Sequence, residues 1–299
     1  MIAELHLPLA VVCHDAGAAN IIFAWLRQHL SKHSDAGKDW RICLEGPARN
    51  LWLADFVLSK IQLVDDLGSA CSGVATVLTG TGWASDLEHQ ARLIAKANKQ
   101  CSLAVIDHWV NYAPRFFRNG QVVFPDTIIV TDSYAKAEAE RVFPELPSVI
   151  YPNQYLLDAV AQIPPVTVEA GVLYVLEPIH APWAVDHPGE FQALDFFVAN
   201  STKLFPNGIP PIRLRPHPSD SPGKYDHWML MNSDIQVSLD THVSLADSIA
   251  CAAWVLGAET YAMIVALEAG RRVVSTLPTW GHACRLPHEG IIHLRDMVS

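Results

Sequence analysis

The sequence predicts an α/β protein of two parallel-sheet halves. Three observations carry the prediction. Short apolar runs of about four to eight residues alternate with helical patterns, the order that arises when crossover helices cover a parallel sheet on both faces. The alternation breaks once, at the proline-containing stretch Ala161–Thr167, and then restarts. Half of the 299 residues are hydrophobic and only 17% are charged, the balance expected of strands buried on both sides.

Each element has its own reason. Leu9–Cys13 is a continuous apolar run and reads as the first strand, followed by a helix over Asn20–His29. Trp40–Leu44 reads as a strand and Leu51–Ile61 as a helix, then Val74–Leu78 as a strand. Asp86–Lys99 is helical because Leu87, Ala91, Ile94 and Ala95 fall on one stripe. Leu103–Ile106, Thr127–Val130 and Val149–Tyr151 read as strands, with a helix over Ser133–Arg141 that Ser133 can cap. Past the prolines come strands at Val172–Leu176, Ile212–Leu214, Ile235–Leu239, Ala253–Leu256 and Arg272–Ser275. Helices over Gly189–Leu204, Ser244–Cys251 and Thr260–Ala269 separate them. The halves are thus residues 1–160 and 168–299, in keeping with roughly 150 residues per domain.

Composition excludes several classes. A disordered chain needs low hydrophobicity and high charge density. With 21 basic against 31 acidic residues, net −10, and no basic run, nucleic-acid or anionic-membrane binding is disfavoured. Cys13, Cys43, Cys71, Cys101, Cys251 and Cys284 show no metal-like spacing and read as buried thiols of a reducing, cytoplasmic protein. No apolar stretch approaches the roughly 20 residues needed to span a bilayer. The first residues lack a basic n-region and read as a core strand rather than a signal peptide.

Polar residues gather after the strands. In an open parallel sheet, ligands bind at the carboxyl ends of the strands. His14-Asp15-Ala16-Gly17-Ala18-Ala19-Asn20 follows the first strand and leads into a helix, whose free backbone N–H groups can hold an anion or sugar. It is not a GxGxxG fingerprint, and Asp15 or Asn20 can instead cap a tight turn. Gly80-Thr81-Gly82-Trp83 has the same logic, with Trp83 able to stack on a sugar or a base, or simply to pack. Asp107 and His108 sit where a carboxylate or imidazole can deprotonate a hydroxyl; the rival reading has Asp107 capping a turn. Asn111, Tyr112 and Arg115 follow and can line the same pocket, or Arg115 can pair with a surface acid.

In the second half, period-2 spacing puts Arg213 and Arg215 on one strand face. Pro216 and Pro218 hold His217 in an extended exit, a cationic site suited to a phosphate leaving group or else an edge strand with solvated arginines. Gly257-Ala258-Glu259-Thr260 precedes a helix that Thr260 can cap. Its N-terminus favours phosphate. Glu259 can accept from ribose hydroxyls or complement the helix dipole, and Ser275 ends the next strand.

The segments Arg213–Pro218 and Trp254–Val274 resemble the C-terminal domain of GT-B-fold glycosyltransferases. His217-Pro218 is similar to the HP motif of bacterial sialyltransferase-like and capsule (Kdo-type) transferases. Gly257–Val274 is similar to their module of a strand, a G-x-S/T turn and a small-residue helix ending E-A-x-x-G-x-x-V-V, with Glu259-Thr260 in place of a tandem Ser/Thr pair. The resemblance spans roughly residues 170–280. It implies two Rossmann-like domains facing across a cleft, with an acceptor-side first half and a nucleotide-sugar second half. It also implies that His217 and Thr260 contact donor phosphate, with Glu259 reaching the sugar or ribose. The expected reaction is transfer of a sugar from a nucleotide-sugar to a glycan or surface-polysaccharide acceptor. Asp107 or His108 serves as base, with Asp15 as rival, and His14, Gly17, Asn20, Gly80, Thr81, Trp83, Asn111 and Tyr112 line the sugar side. The scheme uses no metal or cofactor, and the sequence has no DxD motif. A UDP-GlcNAc 2-epimerase or nucleotide-sugar hydrolase, and a non-catalytic nucleotide- or glycan-binding protein, are the alternatives. The oligomeric state is open.

Overall fold

The computed structural model describes residues 2–166, 171–179, 183 and 187–298. The chain divides into two compact units, Met1–Leu157 and Asp158–Ser299. The division lies ahead of the proline stretch, whose Thr167, like the expected boundary at 168, falls outside the described residues.

The first unit runs β1 (Leu9–Cys13), α1 (Ala16–Lys32), β2 (Trp40–Leu44), α2 (Gly46–Ala54), α3 (Leu67–Cys71), β3 (Thr76–Thr79), α4 (Leu87–Asn98) and β4 (Cys101–Val105). A short hairpin, β5 (Phe117–Arg118) and β6 (Gln121–Val122), precedes β7 (Thr127–Val130), α5 (Ser133–Val142) and β8 (Ser148–Ile150), and the division between the units falls within α6 (Gln154–Ala161). Among the described residues the main sheet is parallel, in the order β2-β1-β3-β4-β7-β8. Alternate residues of β1 feed opposite faces. Leu9, Val11 and Cys13 pack with Ile22, Phe23, Leu26 and Trp52, while Ala10 and Val12 pack with Cys71, Val77, Ala91 and Ala95. That double burial accounts for the unbroken apolar run.

The second unit runs β9 (Gly171–Val175), α7 (Gly189–Asn200), β10 (Ile212–Arg215), α8 (Asp226–Met231), β11 (Val237–Leu239), α9 (Leu245–Ala250), β12 (Ala252–Gly257), α10 (Tyr261–Glu268), β13 (Arg272–Ser275) and β14 (Ile291–His293). Its described strands are also parallel, in the order β11-β10-β9-β12-β13-β14. Val172, Tyr174 and Leu214 pack against Leu194, Phe197 and Trp228. Each fully buried side chain of this kind is worth about 1.5–3 kcal/mol.

Several boundaries differ from the sequence reading. Helix α1 starts at Ala16, because the Ala-rich start is itself helix-forming, so Asn20 lies inside it rather than at its cap. The expected helix over Leu51–Ile61 is α2 with Pro47 in its first turn, followed by a single tight turn at Leu58–Lys60. Asp132, not Ser133, caps α5: its carboxylate accepts the Ala135 N–H at 2.7 Å. The strand bearing Arg213 and Arg215 is interior, between β9 and β11. All six cysteines are free; Cys13, Cys43 and Cys71 are buried, whereas Cys251 is exposed against expectation. No described helix is long and apolar enough to cross a membrane.

Candidate functional site

In each sheet the strand order reverses at one place, between β1 and β3 in the first unit and between β9 and β12 in the second. Such a reversal opens a crevice at the carboxyl ends of the strands.

At the first reversal, Asp15 stands at the N-cap of α1 in extended backbone but makes no side-chain bond to the helix. It instead accepts from His14 Nδ1 at 2.6 Å. That bond leaves Nε2 of the neutral imidazole as the acceptor, the arrangement of an oriented base. Beneath the pair lies Glu88, which is 1% exposed. Its carboxylate accepts the His14 N–H at 3.1 Å and the Gly82 N–H at 2.6 Å, joining the loops after β1 and β3. Burial pushes its carboxyl up to about 7, against the hydrogen bond from His14 and the charge of Arg92.

Asp107, at the tip of β4, packs over Gly17 in the first turn of α1, where no Cβ could fit. It pairs at 2.8 Å with the buried guanidinium of Arg115. Arg115 also donates to Thr81 Oγ1 at 3.1 Å and lies over the half-exposed Trp83 ring. His108 Nδ1 accepts the Trp109 N–H at 3.0 Å. His14, Asp15, Gly17, Gly82, Trp83 and Asp107 thus gather at one edge of this sheet.

Other residues expected to line this site make other contacts. Thr81 is fully buried and donates to the Val105 carbonyl, so it positions Arg115 rather than meeting a ligand. Gly80 is buried, its carbonyl accepting from Arg92. Tyr112 is 2% exposed, with its hydroxyl on the Ala135 carbonyl. Asn111 is an exposed turn residue in the left-handed region, φ 59°, a conformation asparagine tolerates better than most side chains. Arg115 pairs not with a surface acid but with Asp107.

In the second unit, the ends of β10, β9 and β12 carry His217, Glu177 and Glu259-Thr260 along one edge. His217 is exposed; its Nδ1 accepts the Ser219 N–H at 3.2 Å and lies 2.7 Å from Ser219 Oγ, so Nδ1 is engaged within the turn and Nε2 is the ring nitrogen left to a ligand. Thr260 is the N-cap of α10, but its hydroxyl makes no bond to the helix. Glu177 accepts the Glu259 N–H at 2.6 Å. Burial, together with the charge of Glu259, raises its carboxyl to about 7, against the Glu259 N–H and Arg285. The Glu259 carboxylate is held by Arg285 and, at 2.9 Å, by His282 Nε2. Burial would raise its carboxyl, but the Arg285 and His282 hydrogen bonds outweigh that and hold it down.

Four expected phosphate-site residues have other work in the structure. Gly257 is a glycine because a Cβ would lie 2.8 Å from the Val175 carbonyl oxygen, a packing requirement between β12 and β9. Ser275 is buried and donates to the Ala258 carbonyl at 2.7 Å. Arg213 and Arg215 both pair with the carboxylate of Asp240, at 2.7 and 2.8 Å, because a side chain with no exposure needs compensating charge.

Sequence reasoning passed over Glu88 and Glu177. Glu88 and Arg92 form an i, i+4 acid–base pair on the buried side of α4, a legible signal. Glu177 stands two residues past β9, as a strand-tip polar residue should.

No family profile and no curated protein matches the chain. Among solved structures it is similar to the UDP-GlcNAc 2-epimerase from Neisseria meningitidis bound to UDP-GlcNAc, at 11% identity over 97% of this chain and 89% of that one, with a TM-score of 0.58. It is similar to the UDP-GlcNAc 2-epimerase from Methanocaldococcus jannaschii, at 12% identity over 89% and 83%, TM-score 0.56. A glycotransferase of kitacinnamycin aligns at 11% identity over 95% and 85%, TM-score 0.52. The likeness is one of fold: two parallel-sheet α/β units of the GT-B type.

Proposed function

We propose that the protein is an enzyme acting on a nucleotide-sugar, transferring the sugar to a hydroxyl of a glycan acceptor. One observation carries the reading. The His217 imidazole and the N-terminus of α10 follow the two strands that flank β9. Neighbouring strands lie about 4.8 Å apart, so β10 and β12 are roughly 10 Å apart, a span suited to a diphosphate. Both groups are hydrogen-bond donors that favour developing phosphate charge. The His217-Pro218 pair supports kinship with HP-motif transferases.

In this reading His14, held by Asp15, takes the acceptor proton as its oxygen attacks the anomeric carbon, and the sugar–phosphate bond breaks. Asp107 is committed to Arg115, so it serves as a fixed charge beside the base. A second reading, epimerisation of a UDP-sugar, draws support from the likeness to two epimerases and from two carboxyl groups near 7, Glu88 and Glu177. Such groups exchange protons readily at neutral pH.

A thermal-shift screen with CMP, UDP, GDP, ADP and their sugars tests binding, since a ligand of the native state raises its stability. Absence of any shift sinks both readings. Turnover that needs an acceptor supports transfer; consumption or isomerisation without one supports the second reading. His14→Ala should lower turnover by about 10²–10⁴-fold with the shift retained. Unchanged turnover would return the base to Asp107 or His108.

A further inference from the structure

A second cluster of reactive side chains lies away from the strand-order reversal of the second unit, in the segment from the end of β11 to the start of β12. Cys251 is exposed, the one described cysteine that is. Its Sγ lies 3.9 Å from His242 Nε2. His242 Nδ1 in turn lies 2.7 Å from Asp240 Oδ1, whose side chain has no exposure. The order is sulfur, imidazole, buried carboxylate. This is the sequence of roles by which a base is oriented toward a nucleophile: Nδ1–H donates to the carboxylate, which also accepts from Arg213 Nη1 3.0 Å from Nδ1, and Nε2 is left facing the sulfur.

Two arginines brace the segment that carries the pair. The carbonyls at the end of α9 would repel negative charge, but Arg213 Nη2 donates to the Ser248 and Cys251 carbonyls at 2.8 and 3.1 Å. Arg215 adds a second guanidinium at Asp240 and donates to the His242 carbonyl. The other five cysteines stand in contrast. They are buried or half-buried, and burial pushes each thiol up.

We propose that Cys251 is a nucleophilic thiol, with His242 as its base and Asp240 as the positioning residue, that exchanges with low-molecular-weight disulfides. The Sγ–H proton passes to His242 Nε2, and the sulfur attacks one sulfur of the disulfide. The disulfide S–S bond breaks, a mixed disulfide forms on Cys251, and the departing thiolate takes the proton from His242. One disulfide and one thiol are consumed and one of each is made, so the step needs no other oxidant. The inference does not rest on the nucleotide-sugar reading.

Iodoacetamide labelling of the native protein at neutral pH, read by peptide mass spectrometry, tests it. Cys251 should be alkylated about ten-fold or more faster than free glutathione, and ahead of the other five cysteines. Oxidised glutathione should give a mixed disulfide at Cys251. His242→Gln should slow labelling about ten-fold while thermal unfolding stays near that of the parent, and Asp240→Asn should slow it less. A Cys251 rate equal to that of glutathione, or one unaltered by His242→Gln, overturns the proposal. Should His242→Gln unfold the protein, parent Cys251 is compared with itself in urea-denatured protein. Faster labelling in the native state upholds the proposal, and equal or slower labelling overturns it.

Discussion

Asp107 Oδ2 occupies the space that a side chain at residue 17 would fill: a Cβ on Gly17 would lie 1.6 Å from it. The first turn of α1 and the tip of β4 therefore meet only because residue 17 is glycine. Gly17→Ala must push Asp107 away from Arg115, a residue that is 5% exposed. Overpacking of this kind costs about 1–3 kcal/mol, and the strained pair adds to it. Chemical denaturation should show the loss as a lower urea midpoint.

Glu88 makes stability fall as the solution becomes less acid. Its carboxyl is raised by burial from the ordinary 4.5 to about 7. Between those values the folded protein holds a proton that the unfolded chain has released. The native state binds more protons there, so stability declines as pH rises through that window and levels off above about 7. Glu88→Gln removes this slope, and urea midpoints from pH 4.5 to 7.5 should change less with pH in the variant than in the parent. An unchanged slope would assign it to another group.

The alternation of doubly buried strands and helices is legible because β1 is apolar at every position and its neighbours β2 and β3 are largely buried. The short edge elements β8, β11 and β14 have fewer apolar positions and more exposure, so their ends blur. Strand tips were legible too: His14, Asp15 and Asp107 follow strands of the first sheet, and His217 and Thr260 follow strands of the second. Sequence could not separate Thr81 and Tyr112, which face the interior, from Trp83, which faces solvent. Nor could it show that Asp240, remote in sequence, claims both arginines of β10.

Asp240 sets the acid limit of the second unit. Burial alone would raise its carboxyl, but bonds from Ser248, His242 and Arg215, with the charge of Arg213, take it from 3.8 down to about 2. A depressed acid contributes stability that is complete above its unfolded value and is lost as pH falls through its folded value. The difference in stability between parent and Asp240→Asn should therefore be full above about pH 4 and shrink toward pH 2. At neutral pH the variant leaves two guanidinium groups without their buried partner, a change that costs about 3–5 kcal/mol. Denaturation curves of the two proteins at pH 7, 4 and 2.5 check both statements.

Asp132 has two duties that Ser133 lacks. One carboxylate oxygen caps α5 through the Ala135 N–H, and the other accepts from Trp109 Nε1 at 2.8 Å. Loss of a cap costs about 1 kcal/mol, and depriving the Trp109 N–H of this acceptor adds roughly 1–3 kcal/mol. Ser133 is the first helical residue, and its hydroxyl does not cap the helix, so Ser133→Ala should change stability by no more than about 0.5 kcal/mol. Asp132→Ala should lower the urea midpoint well beyond that. Asp132→Asn, which keeps an acceptor for one of the two donors, should fall between them. Equal effects of the alanine variants at 132 and 133 would mean that the cap and the Trp109 bond contribute nothing to the folded state.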